Sequence, residues 1–301
     1  MANRWWVYQR ERFPILVHGP LIAAMSFATV GVSGHLRGGT GLPAVGSLLV
    51  AFVTTLLFFL QLRVADEFKD REMDARYRPY RAVPRGLVSL RELGNVAAVG
   101  AILQLTLALW LQPSLVLLLA AVWVYLGLMW KEFFAQRYLS AHPITYLWSH
   151  MLILPLITLY ATACEWHTAG VPMPSGLAWL LVASFFNGLV IEIGRKIRAP
   201  EAEERGVETY SAIWGRRTAT LAWWAAMLLA GLTSLPVAKA IGVSAVLAAA
   251  FGSVLMLAGM ARWRFLAQPT SRRAGLFEPV SGLWTLVASV GIGVGPWLWP
   301  F

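Results

Sequence analysis

The chain has 301 residues, 58% of them hydrophobic and 13% charged, against roughly 45–50% and 25% in a soluble domain, so an ordinary soluble globule is excluded. Its net charge of +10 does not point to nucleic acid, because no long basic block exists and the Lys and Arg residues gather in alternate loops, the positive-inside pattern of a membrane protein. Fifteen tryptophans suit two interfacial belts, and the single cysteine, Cys164, excludes an intrachain disulfide.

The first twelve residues, Met1 to Arg12, are a charged interfacial start with no small-residue cleavage site behind a short apolar core, so no signal peptide is expected. Nine apolar stretches follow, at 14–34, 44–65, 93–112, 114–130, 143–163, 176–193, 218–236, 240–261 and 280–299. Each approaches the ~20 residues that cross a bilayer with some tilt. Pro113 turns the chain between the third and fourth. Pro20, Pro155 and Pro236 fall in or at the ends of spans, where neighbouring helices re-satisfy the freed carbonyl. A cytoplasmic N-terminus places every Lys and Arg except Arg37 and Lys239 on the cytoplasmic side. That bias predicts an odd number of spans and an integral protein of the plasma (inner) membrane. The expected fold is all-α, with nine transmembrane helices in one membrane domain, 1–301, and charged cytoplasmic loops at about 63–92 and 194–217.

The first charged loop opens on Asp66, Asp70 and Asp74, at i, i+4 and i+8. On a continuing helix each step of four advances ~400°, so the three carboxylates share one face and repel. A divalent metal is the economical counter-ion, and hard oxygen ligands suit Mg²⁺. Carboxylate-held Mg²⁺ at a membrane surface implies a phosphate-bearing substrate. Arg78, Arg81 and Arg85 follow, the last within Pro84-Arg85-Gly86. Acids first and arginines next suits a diphosphate, with metal on its oxygens and guanidiniums on the leaving group. A solvated loop touching anionic lipid headgroups would carry similar charges.

This series, with Arg78-Pro79 and Pro84-Arg85-Gly86-Leu87-Val88-Ser89, resembles the first aspartate-rich motif of the UbiA superfamily of intramembrane prenyltransferases. Asp66 stands where that family usually has Asn. The resemblance covers essentially the whole chain, since the span count and a second charged loop after span six also match. It implies a UbiA-like bundle around a central cavity open sideways to lipid, and a Mg²⁺-bound prenyl diphosphate at the cytoplasmic end.

Span four ends on Lys131. It resembles the family's Tyr-Pro-x-x-Lys segment, which implies a contact to the diphosphate; a lysine snorkelling at a helix end fits as well. His150 in span five and Asn187 in span six are polar residues that should face the bundle interior. Either orients an acceptor or makes a hydrogen bond between helices.

The second loop departs from the family pattern. Its ending, Gly206-Val207-Glu208-Thr209 with Gly215 nine residues after Gly206, is similar, but the usual pair of aspartates is absent and Lys196 and Arg198 stand near their place. Either Glu192 or Glu201 supplies a metal ligand, or Arg195, Lys196 and Arg198 contact the diphosphate and replace one metal. Offsetting charges in a plain loop are the third reading.

The resemblance implies an enzyme that ionises an allylic prenyl diphosphate and transfers the prenyl group to a lipophilic acceptor within the membrane. Asp66, Asp70 and Asp74 would hold Mg²⁺, with membrane lipids as surroundings and no nucleic-acid partner. Cyclisation on the same fold is the near alternative. A transporter is the distant one, and it predicts ionisable groups at mid-membrane, where these spans hold almost none.

Overall fold

A computed structural model describes residues 3–298, and every regular element among them is helical. The chain divides into two compact units. One runs to Val30 and resumes over Pro43–Pro172; the other takes Gly31–Leu42 and continues from Met173.

The first unit starts with α1 (Arg4–Arg12), capped by the Asn3 side chain on the Trp5 amide, and most of α2 (Ile15–Leu36). Then come α3 (Val45–Lys69), α4 (Arg71–Tyr77) and α5 (Leu90–Leu111). Ser89 and Glu92 form a reciprocal capping box that fixes the start of α5. Next are α6 (Leu115–Trp130), a 3₁₀ turn at Glu132–Phe134, α7 (Gln136–Ala141), α8 (Pro143–Met151) and α9 (Ile153–Trp166). The fifth expected span is thus two helices meeting at Leu152. Pro155 has no N–H to donate to the carbonyl four residues back, at Met151, and the ladder breaks there. Val50, Phe58, Leu115, Leu119, Ile157 and Tyr160 build the core between α3, α6 and α9. One polar cluster is buried with them: Gln104 accepts from Gln61 at 2.9 Å and from the Trp123 indole at 3.0 Å, and donates to the Thr54 carbonyl.

The second unit contains α10 (Leu177–Gly194), a 3₁₀ turn at Pro200–Ala202, α11 (Tyr210–Ile213) and α12 (Arg216–Ala240). It ends with α13 (Ser244–Ala267), α14 (Ser271–Ala274), α15 (Phe277–Gly293) and α16 (Gly295–Leu298). Trp223 and Trp284 are fully buried, Trp284 stacked on Phe251 at 4.5 Å and Trp223 edge-on to Phe277 at 4.9 Å. Each indole N–H needs a partner when buried; Trp284 donates to Asn187 and Trp223 to Ser281. Gly194 lets α10 approach this layer, since a Cβ there would strike the Ser281 hydroxyl and the Trp223 indole.

Among the described residues, eight helices are long and apolar enough to cross a membrane. The remaining apolar helix, Leu115–Trp130, has 16 residues, ~24 Å of rise, a short span that crosses with local thinning of the bilayer and help from its flanking residues. The nine expected stretches are therefore eight full-length helices and one shorter one. The last also shifts: the structure has a span at Ser271–Gly293 rather than 280–299, whose final residue lies outside the described residues. Pro279 does not delay α15, because it falls in the first turn, where a missing N–H costs nothing.

Candidate functional site

The apolar run of α3 ends in the charged segment, and the helix barely pauses there. Asp70 caps both α3 and α4, yet the backbone ladder continues, from the Asp70 amide to the Asp66 carbonyl and from the Asp74 amide to the Asp70 carbonyl, both at 2.8 Å. The three aspartates thus follow one another a turn apart, as their spacing predicts. Gly86, at φ +77, closes the turn after Pro84-Arg85 in a region that favours glycine.

Their surroundings differ sharply. Asp74 is buried in a cage of guanidiniums: Arg81 donates to its two oxygens at 3.0 and 2.7 Å, Arg78 lies 3.4 Å away and Arg12, from α1, 3.8 Å away. Glu67, also buried, takes Arg12 at 2.5 Å and Arg63 at 3.1 Å. Asp66 is half exposed, 3.7 Å from Arg63. Asp70 has no side-chain hydrogen bond or ion pair among the described residues. Burial, and then the charges of Asp66 and Asp74, push its carboxyl above the usual range, although Lys69 and Arg63 pull the other way. No three Asp, Glu, His or Cys side chains gather as a metal cage among the described residues. What the segment offers is a pair, Asp66 and Asp70, with spare oxygen and a deficit of positive charge. That suits Mg²⁺, which keeps waters or substrate phosphates and takes only one or two carboxylates.

The other first-unit candidates are placed as follows. Arg85 pairs with Glu11 and donates to the Tyr80 carbonyl, both at 2.8 Å. Lys131 is exposed, its ammonium 4.4 Å from the centre of the Trp130 ring. His150 is buried, stacked 3.9 Å from Tyr146 with Nδ1 2.8 Å from the Tyr146 carbonyl.

Sequence reasoning missed several residues here. Lys69 meets Glu132 at 2.7 Å, bonds the Tyr146 hydroxyl and lies over its ring at 4.4 Å. Glu132, Phe133 and Phe134 all have left-handed φ, 47, 54 and 57°, a conformation costing ~1–2 kcal/mol per residue. That turn presents Glu132 to Lys69 and Phe133 to Tyr125 and His150. Arg12 and Glu67 were missed as well. Their partners are 55 residues apart, and only the acid at 67, inside the motif, could have raised the question.

In the second unit the charges close on one another. Glu192 is buried between Arg195 at 2.5 Å and Lys196 at 2.9 Å. Arg198 pairs with Glu204 at 2.7 Å, and Glu203 accepts from the Thr209 and Ser211 hydroxyls. Exposed Glu201 accepts from the Ser271 amide at 2.7 Å and its hydroxyl at 2.9 Å; a bond from its own backbone amide, then these two, hold its carboxyl below the usual range. An open cavity of about 500 Å³ beside them is lined by Arg195 and Arg198 but also by Glu201, Glu203, Glu204 and Glu278, more acids than bases. Asn187, the remaining candidate, is engaged by Trp284 at 2.9 Å.

Comparison with known proteins gives this chemistry a family. Residues 24–287 match the UbiA prenyltransferase family. The chain belongs to that family. It is an integral-membrane prenyltransferase by that membership and by its apolar helices. No curated protein matches it in sequence. Among solved structures it is similar to a UbiA homolog from Aeropyrum pernix K1 in the apo form, with a TM-score of 0.65, 16% identity and coverage of 92% of this chain and 97% of that one. A digeranylgeranylglyceryl phosphate synthase is similar at TM-score 0.61 and 16% identity, covering 98% and 99%. A UbiA homolog from Archaeoglobus fulgidus, bound to DMAPP and Mg²⁺, is similar at 0.55 and 13%, covering 95% and 99%. At these identities the likeness shows a shared fold.

Proposed function

We propose that this UbiA-family enzyme moves a prenyl group from an allylic prenyl diphosphate to a lipophilic acceptor inside the membrane, with Mg²⁺ held by Asp66 and Asp70. The observation that carries the reading is Asp70, a half-buried carboxylate set between two others and without an ion-pair partner among the described residues, beside a run of guanidiniums. The Archaeoglobus fulgidus homolog, which binds DMAPP and Mg²⁺, supports the same ligand pair. When bound, the metal supplies positive charge to the leaving diphosphate. Arg78, Arg81 and Arg85 donate to its oxygens, where charge-assisted bonds from a planar fork are strong. Lys131 is a further candidate donor, as are Arg195, Lys196 and Arg198 of the second segment. His150 is the candidate on the acceptor side. The apolar spans exclude the water that would capture an allylic cation.

The test is pyrophosphate release by purified protein given allylic diphosphates of several chain lengths, with and without Mg²⁺ and candidate acceptors. Release that needs Mg²⁺ and yields a prenylated acceptor is expected. Release with no acceptor, giving a cyclic hydrocarbon, would replace transfer by cyclisation. The basic-residue bias puts the N-terminus and both charged segments in the cytoplasm, in the inner membrane. Reporter fusions at Arg85 and Arg205 should both read cytoplasmic, and one after Phe301 should not. Opposite sides for Arg85 and Arg205 would end the reading.

A further inference from the structure

The spacing of Asp66, Asp70 and Asp74 gives all three the same job, but the geometry separates them. Asp74 is the hub of a buried ion cluster, and its own side chain is 3% exposed. Arg81 reaches both of its oxygens through one nitrogen, Nη1. Arg78 approaches from one helical turn away. Arg12 arrives from α1 and bridges to Glu67, and its side chain is 9% exposed. Two further contacts pin α1 to the same region, Arg4 with Glu92 at 2.6 Å and Glu11 with Arg85 at 2.8 Å. Tyr8 of α1 is buried with Val64, Ala82, Val88 and Leu93. The N-terminal helix is therefore fastened to the charged segment by both apolar burial and ion pairs.

Opening this cluster to place Asp74 on a cation would take from Arg81 the carboxylate it donates to and from Arg12 and Arg78 a second negative neighbour, and loosening a buried ion pair is costly. Asp66 and Asp70 carry no such obligation.

We infer that Asp74 is a positioning residue rather than a metal ligand. With Arg12 of the N-terminal helix, it anchors Arg78 and Arg81 for the diphosphate and leaves the metal to Asp66 and Asp70. The inference rests on the function proposed above and assigns roles within that site. Anchoring lowers the cost of ordering two long side chains when the diphosphate arrives.

Thermal melting of the full-length, detergent-purified protein tests it without turnover. In EDTA, Asp74→Asn should lower the melting temperature, because guanidiniums lose their partner. Asp70→Asn should raise it, because like charges are relieved. Added Mn²⁺ should raise the melting temperature of wild type and of Asp74→Asn alike, since a ligand that binds only the folded state stabilises it; Asp70→Asn should lose that rise. Inorganic pyrophosphate, still in EDTA, should stabilise wild type and fail to stabilise Asp74→Asn. A purely structural loss would leave that response intact, and removal of one negative charge would by itself strengthen it. Asp74→Glu should restore the response in part.

If Asp74→Asn does not fold, Asp74→Asn with Arg12→Gln keeps the local charge balanced and carries the Mn²⁺ measurement. Loss of the Mn²⁺ response in either Asp74 variant, as complete as in Asp70→Asn, would make Asp74 a ligand and overturn the inference. An undiminished pyrophosphate response in Asp74→Asn would overturn it as well. A normal Mn²⁺ response in Asp70→Asn would instead bring down the metal site itself, with the pyrophosphate arm still deciding the anchor.

Discussion

The two charged segments look alike as strings of residues: each follows a long apolar helix and mixes acids with arginines. Their electrostatics are opposite. In the second, every acid of the 192–204 stretch that meets a base or hydroxyl does so at short range, as Glu192 does with Arg195 and Lys196 and Glu203 with Thr209 and Ser211. In the first, Glu67 and Asp74 draw in arginines from as far away as α1, while Asp70 gets none. A segment whose acids are each held at short range by a base, a hydroxyl or a backbone amide is a structural clasp. A segment with a half-buried carboxylate left without an ion-pair partner has charge to offer a ligand.

The largest expected effect follows directly. Asp70→Asn should reduce Mg²⁺-dependent pyrophosphate release by at least ~10³-fold, the scale of losing several kcal/mol of transition-state stabilisation. Glu201→Gln, whose side chain bonds Ser271 and faces no cation at ion-pair distance among the described residues, should stay within a few-fold of wild type. Steady-state rates at saturating Mg²⁺ measure both. Comparable losses in the two variants would erase the distinction between the segments and restore a two-sided metal clamp.

How much of this was legible in sequence depends on the range of the interaction. Hydrophobic runs are local, so most helices could be placed to within a few residues, the last excepted, and the break at Leu152 was missed because Pro155, inside the expected span, reads as a tolerated proline. The aspartate ladder was legible for the same reason. Neighbour identity was not. The arginine cage at Asp74 joins α1 to α4, the Lys69–Glu132 pair needs a left-handed turn at three non-glycine residues, and the Asn187–Trp284 bond spans 97 residues. Propensity disfavours the turn, and no periodicity encodes the contacts. The Glu192 clasp sits at i, i+3 and i+4. That spacing is readable in sequence, and the reading of offsetting charges in a plain loop covers it.

The next effect concerns stability. Glu192→Gln leaves Arg195 and Lys196 without their shared partner and should cost ~1–3 kcal/mol, below the full buried-pair value because Arg195 is 43% exposed and can turn to water. Thermal melting should show a clear fall, with pyrophosphate release at permissive temperature little changed. A stable variant with no activity would mean that Glu192 serves the chemistry rather than the clasp.

A smaller effect is expected at Lys196. Its ammonium already faces Glu192 and the Tyr210 ring at 5.5 Å. Lys196→Ala should therefore weaken binding of a non-hydrolysable prenyl diphosphate by less than roughly tenfold, under the ~1.5–3 kcal/mol of a lost charge-assisted bond. Titrating that analogue at several Mg²⁺ concentrations gives the answer. A larger loss that persists at saturating Mg²⁺ would show that this cation does stand in for a second metal.

The finest distinction lies in pH. Asp70 has its carboxyl pushed up by burial and by Asp66 and Asp74, whereas Glu201 has its carboxyl held down by its own backbone amide and by the Ser271 bonds. A group whose folded pKa is raised is best accommodated when protonated. The stability it contributes is present below the ordinary carboxylate range and is lost as pH rises through the raised value. A lowered group behaves conversely: its contribution is present above that range and disappears as pH falls through the lowered value. Wild type at neutral pH therefore carries a strain that Asp70→Asn relieves, and the two melting temperatures should converge as the medium is acidified. Between wild type and Glu201→Gln the gap should instead be open at neutral pH, with wild type the more stable, and close only under more acidic conditions. Saturating Mg²⁺ should shrink the first gap at neutral pH, by giving Asp70 its missing counter-charge, and leave the second unchanged. Parallel pH dependences in the two pairs, with Mg²⁺ acting on both or on neither, would mean that the segments balance their charges in the same way after all.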